Sequence, residues 1–241
     1  MIPVSVYNAI FLANRVKFGS LEHVVPILLA VVFGIVFINF AKQSLDKQKQ
    51  KRVLHVFACC ISGIVLSFHL YKISLGHYNI KTDLPLYLCS MLALLVPVFT
   101  YYRKFWMFEI LLFWIIAATT QGVLTPDIPE GFPSFDYFRY WVVHLGLLII
   151  ITYAIFVYRM RPKFKSVFKS FVALQIYVVL IMLMNDVLDA NYFYLNEKPE
   201  SASLLDYFGE WPLYIVVVQL LAIPYFLLIY SSFFWFKKRF K

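Results

Sequence analysis

Seven stretches of this chain, 21–41, 53–75, 85–102, 105–124, 138–158, 166–190 and 211–236, are each apolar over about the 20 residues a helix needs to cross a bilayer. That pattern predicts an all-α fold: a polytopic membrane bundle of seven transmembrane helices, with short connections that make sequential helices antiparallel neighbours. Pro26, Pro97 and Pro224 fall inside spans, where neighbouring helices can re-satisfy the carbonyls a proline frees. With 62% hydrophobic and 15% charged residues and a mean hydropathy of +0.75, the chain is unlike soluble domains, which run about 45–50% apolar and about 25% charged. A water-soluble enzyme, a disordered chain and a nucleic-acid-binding domain are excluded, and 241 residues leave no room for a further soluble domain. The expected organisation is a short interfacial segment over 1–20, the seven-helix domain over 21–236 and a basic cytosolic tail over 237–241. Asn14, Arg15 and Lys17 make the first segment too polar for a cleavable signal sequence.

Charge placement predicts which way the helices point. Loops 42–52, 103–104 and 159–165 and the tail hold fifteen Lys and Arg, while the opposite side holds Arg15, Lys17, Lys81 and Lys198. The positive-inside rule then sets the N-terminus outside and the C-terminus in the cytosol, in the cell membrane. The net charge of +9 is on this reading a topology signal and a match to anionic headgroups, with no nucleic-acid partner.

Polar side chains are costly inside a bilayer, so their depth is informative. His69 lies roughly 9 Å below the outer end of the second span, Cys89 roughly 6 Å inside the third and His144 roughly 9 Å inside the fifth. Glu22 and His23 stand at the outer mouth of the first span and Gln121 near the outer end of the fourth. Asn185, Asp186, Asp189 and Asn191 close the sixth, and Trp211 and Tyr214 open the seventh. All seven helices contribute at one level, which predicts a pocket opening toward the outer leaflet. The cytosolic half offers His55 and Glu109, the latter able to snorkel or to pair with Arg103 or Lys104.

Plainer roles compete with this. Cys59 and Cys60 fit small packing residues, a lone membrane histidine can simply bond a carbonyl, and Trp211 and Tyr214 fit an aromatic belt. Asn185 and Asp189 share a face and could cap their helix and pair with Lys198. All three cysteines lie in spans, so no disulfide framework is implied.

Several segments together resemble a known family: 18–23 (FGSLEH), 67–69 (SFH), 84–90 (LPLYLCS), His144, 185–195 and 211–214 (WPLY). In order and spacing they are similar to the YwaF-like integral membrane proteins, from Phe18 to Phe236. That family is similar to a vertebrate transmembrane ether-phospholipid acyltransferase and, more distantly, to the androgen-induced membrane fatty-ester hydrolases. The resemblance implies a catalytic Cys–His pair in the acyltransferase branch and a Thr–His pair in the hydrolase branch; those roles fall here on Cys89 and His144, acting on a membrane phospholipid or fatty ester, and no cofactor or metal is expected. His23, His69, Gln121, Asn185, Asn191 and Tyr214 are then expected to bind or orient substrate, with Gln121, Asn185 or Tyr214 able to donate to an oxyanion. Two other classes stay open. One is a zinc hydrolase using His23, His69 and His144, although the seventh span holds no histidine. The other is a non-enzymatic small-molecule or partner-binding membrane protein, which predicts a pocket without a nucleophile–base contact.

Overall fold

The structure, a computed structural model, describes residues 15–200 and 203–239, with side chains described as far as Phe233. Most of the segment expected over 1–20, and the side chains of the tail over 237–241, lie outside the described residues. Among the described residues seven principal helices follow in order: α1 (Leu21–Ser44), α2 (Lys47–Ser74), α3 (Leu88–Tyr102), α4 (Phe105–Leu124), α5 (Phe135–Phe156), α6 (Phe164–Leu188) and α7 (Leu213–Arg239). Two 3-10 turns, Tyr192–Tyr194 and Leu204–Phe208, lie between α6 and α7, and no strand occurs among the described residues.

Six of these helices are long and apolar enough to cross a membrane; α3 has 15 residues, about 22 Å against a hydrocarbon core of about 30 Å. Its late start has a tertiary cause. The Tyr192 hydroxyl accepts from the Leu84 amide at 2.9 Å and the Tyr177 hydroxyl donates to the Leu86 carbonyl at 2.6 Å, so 84–87 is held as a non-helical turn leading into α3. Elsewhere caps lengthen what hydropathy alone outlines. The Asp46 carboxylate accepts from the Gln48 and Lys49 amides, both at 2.9 Å, and starts α2 inside the basic loop rather than at residue 53. Ser134 does the same for α5, accepting from the Tyr137 amide at 3.0 Å.

Helices α4 and α5 form the centre: 56% of each apolar window is buried, against 17% for α1 and α7 at the periphery. On either side α2 packs along α3 and α5, while α6 packs along α4 and carries α7. Buried polar groups tie α4 to α6. Glu109 accepts from Ser166 Oγ at 2.6 Å and from Lys169 Nζ at 2.9 Å, and the Trp114 indole donates to the Ser170 carbonyl at 3.0 Å. Glu109 thus pairs across to α6 and not with Arg103 or Lys104, because Lys169 stands one helix away at its own depth.

The two ends of the bundle differ. At one end the connections are short and carry Arg103, Lys104, Arg159 and Lys163, with Lys47 opening α2 beside them. At the other, residues 15–20 and the loops 75–87, 125–134 and 189–212 knit into a roof. Arg15 pairs with Asp127 at 2.7 Å and with Glu200, and Lys81 pairs with Asp189 at 2.6 Å. The Tyr194 hydroxyl donates to Asp127 at 2.8 Å, and Tyr192 donates to the Ile80 carbonyl at 2.6 Å. Lys198 reaches Glu210, at 3.4 Å, and not Asp189, whose carboxylate Lys81 already occupies.

Candidate functional site under the roof

Beneath this roof α4 changes pitch. Residues Ile115–Thr119 form a π-helical turn inside an otherwise α-helical span, a feature that recurs at functional sites because it re-aims neighbouring side chains. Two polar groups meet the helix there. Thr119 Oγ1 lies 3.7 Å from Cys89 Sγ, and Gly122 lies so close to His144 that a Cβ on it would stand 2.7 Å from the imidazole Nε2. Thr119 and Gly122 are three residues apart, on one face of α4. Cys89 and His144 therefore pack on successive turns of the same helix.

Each is presented in a definite way. Cys89 is the second residue of α3, whose N-cap Tyr87 makes no side-chain cap. The first backbone bond at this start runs from Met91 to the Tyr87 carbonyl. The amides of Leu88, Cys89 and Ser90 have no acceptor among the described residues, and such a turn carries partial positive charge. His144 is buried, and its Nδ1–H donates to the Tyr140 carbonyl at 2.8 Å. With that proton fixed on Nδ1, Nε2 of the neutral ring is the basic nitrogen. The Tyr140 ring stacks on the imidazole at 4.0 Å, and its hydroxyl donates to the Gly122 carbonyl at 2.8 Å. Cys89 and His144 make no hydrogen bond to each other in this conformation; the thiol rests on Thr119.

The other expected residues divide in two. Four serve as ties. His23 accepts from the Gly19 amide at 2.9 Å through Nδ1 and donates to the Val123 carbonyl at 2.8 Å through Nε2. Asn185 clamps both backbone groups of Tyr192, at 2.8 and 3.0 Å, Asn191 accepts from the amides of Asn196 and Glu197, and the Tyr214 hydroxyl donates to the Tyr194 carbonyl at 2.8 Å. Two retain unused polar groups. Both His69 ring nitrogens are buried without a hydrogen-bond partner, and the Gln121 side-chain amide has none among the described residues. For His69, whose nitrogens are buried, such unmet groups cost about 1–3 kcal/mol and call for a partner, whereas Gln121 is only partly buried. Since both nitrogens of His23 are spent on backbone groups, it has no lone pair left for a zinc ion shared with His69 and His144. Among the described residues no group of three His, Cys, Asp or Glu has metal-ligating geometry.

Thr119, Gly122 and Tyr140 are the site residues that sequence reasoning passed over. The available signal was the run Thr119-Thr120-Gln121-Gly122, four small or polar residues together at the end of an apolar span.

These features define a class: a multi-pass α-helical membrane protein with a roofed polar site near one end of its bundle. The TMEM164 family model matches residues 18–230, and the chain belongs to the TMEM164 family. No curated protein and no solved structure matches it.

Proposed function

We propose that the chain is a membrane lipid-acyl enzyme, an acyltransferase or ester hydrolase, in which Cys89 is the nucleophile and His144 the base. The observation that carries this reading is Cys89 in an uncapped first helical turn, packed on the same face of α4 as a histidine whose basic nitrogen is the one left free. The resemblance to the YwaF-like proteins and their acyltransferase and hydrolase relatives supports it. In orientation the roof lies outside, the N-terminus with it, and the short basic connections face the cytosol. Helix α3, extended by its approach over 84–87, completes a seventh crossing. The site then opens to the outer leaflet of the cell membrane, at the level of lipid ester bonds.

Chemistry starts when the Cys89 thiol turns from Thr119 toward His144. Nε2 takes the thiol proton, and the thiolate attacks the ester carbonyl. The unpaired amides of the α3 start, with the Gln121 side chain, stabilise the oxyanion, a contribution typically worth about 3–4 kcal/mol. The ester C–O bond breaks, the lysolipid oxygen leaves with the proton from His144, and an acyl thioester remains on Cys89. Water or a lipid hydroxyl, deprotonated by His144, then releases the acyl group. His69, with two unmet nitrogens, faces substrate or the acceptor.

The test is intact-mass analysis of the purified chain after incubation with a phospholipid carrying a fluorescent acyl ester. An adduct of one acyl group, removable by hydroxylamine, is expected on the wild type. Cys89→Ala should carry none, His144→Ala should slow its formation about 10²–10⁴-fold, and Cys59→Ala should behave as wild type. Normal acylation of folded Cys89→Ala would end the proposal. The missing thiol–imidazole bond favours a second reading, a non-enzymatic small-molecule or partner-binding protein, under which the lipid is retained and never cleaved.

A further inference from the structure

A groove of about 390 Å³ runs between α1 and α5, away from the roofed site. Its walls are apolar along most of their length, with Ala30, Gly34 and Ile149 among them, and its polar residues gather at the basic end, where Asn39, Thr152 and Lys42 stand. Gly34 lets the helices approach: a Cβ there would sit 3.3 Å from Ile149. From Ala30 to Lys42 the groove follows α1 for about 18 Å, close to the depth of one leaflet, which is half of a core of about 30 Å. Lys42 lies in the last turn of α1 and is in no ion pair among the described residues. A cation at the interface, above a slot one leaflet deep, matches the layout of a single lipid: acyl chain below, anionic headgroup above.

We propose that this groove binds one anionic phospholipid from the leaflet at the basic end, its chain along α1 and α5 and its headgroup on Lys42 and Asn39. The site is independent of the chemistry assigned to Cys89. Charge complementarity selects the occupant, because the same end also carries Lys47, Lys49, Lys51, Arg52 and Lys163, a local potential that concentrates anionic lipid. A bound chain would cover the face of α1 that protein leaves bare, where Val31 and Ile35 are 52% and 57% exposed.

Native mass spectrometry of the full chain in detergent, titrated with phosphatidylglycerol or phosphatidylcholine, tests this. One phosphatidylglycerol should be retained about fivefold more tightly than phosphatidylcholine, the preference expected of one lysine near a headgroup. Lys42→Gln should abolish the preference while Lys165→Gln, on another helix, keeps it. Val31→Trp, and Ile35→Trp as an alternative if the first does not fold, should lower retention of both lipids. A preference that survives Lys42→Gln overturns the proposal. So does a chain whose bare α1 face is covered by a second copy, seen as a lipid-free dimer that dissociates on Val31→Trp.

Discussion

Replacing Gly122 by alanine tests the packing under the roof without removing any polar group. The new methyl would stand 2.6 Å from His144 Cδ2, 2.7 Å from Nε2 and 3.2 Å from the Tyr140 hydroxyl. Carbon contacts rest at about 3.5–4.0 Å, so the overlap with the imidazole is about 1 Å. The ring has little room to retreat, being pinned through Nδ1 to the Tyr140 carbonyl at 2.8 Å and stacked on the Tyr140 ring at 4.0 Å. Overpacking of this kind costs about 1–3 kcal/mol, while alanine in place of glycine inside a helix returns up to about 1 kcal/mol. A net loss of about 1 kcal/mol corresponds to a fall in Tm of about 2–4 °C for a domain of this size. Misplacing the base by about 1 Å should slow acyl transfer on the order of 10²-fold. Thermal unfolding in detergent and the acylation assay read the two effects separately. Gly63→Ala is the control, since a Cβ there has nothing within 4 Å and should stabilise α2. The reasoning is refuted if Gly122→Ala raises Tm as Gly63→Ala does and leaves turnover unchanged.

Tyr192→Phe removes the hydroxyl that accepts from Leu84 and donates to Ile80, leaving an amide unpaired; about 1–3 kcal/mol of stability should be lost, with faster amide exchange at Leu84 and Leu86. The Asp46 carboxyl is held below the ordinary carboxylate range, first by the Lys49 amide and then by that of Gln48. A depressed carboxylate stabilises the fold above its unfolded value of about 3.9 and loses that contribution as pH falls through the lower, folded one. Protection of the Gln48 and Lys49 amides should therefore hold from pH 7 to about 5, decline only in stronger acid, and be absent at every pH in Asp46→Ala. Reporter fusions in the connection 157–163 should read cytosol and those in 125–134 and 189–212 outside; two reversals would invert the proposed orientation.

The spans were legible because an apolar run of membrane length admits few alternatives: every predicted span overlaps a helix of the structure, six of them long and apolar enough to cross a membrane. Their ends were less so. Helix α3 begins at Leu88 because hydroxyls from Tyr177 and Tyr192, distant in sequence, hold the approach, and no local window contains that information. Among candidate site residues, depth along the helix put Cys89 and His144 at one level near the roofed end, and the structure packs them against Thr119 and Gly122 of α4. Depth could not separate His23, whose nitrogens both bond backbone, from His69, whose nitrogens bond nothing, since that depends on which helix faces which. The π-helical turn at Ile115–Thr119 was hidden for a related reason: isoleucine and alanine fit either pitch, and packing against α5 decides.

The roof also bears on how the protein is made. Its ties join residues far apart along the chain: Arg15 to Asp127, Arg15 to Glu200 and Lys81 to Asp189. Membrane helices form individually and then associate, so α1 to α5 can be in place before the 189–212 loop has been synthesised. Until that loop arrives, Asp127 lacks Tyr194, Lys81 lacks Asp189 and Leu84 lacks the hydroxyl that fixes the start of α3. The nascent chain would thus hold Cys89 on an unsecured approach for most of its synthesis, and the thiol would reach its final setting only when the sixth helix and its loop are complete. Closure of the site is in this sense set by the 189–212 loop, the last of the four roof segments in chain order.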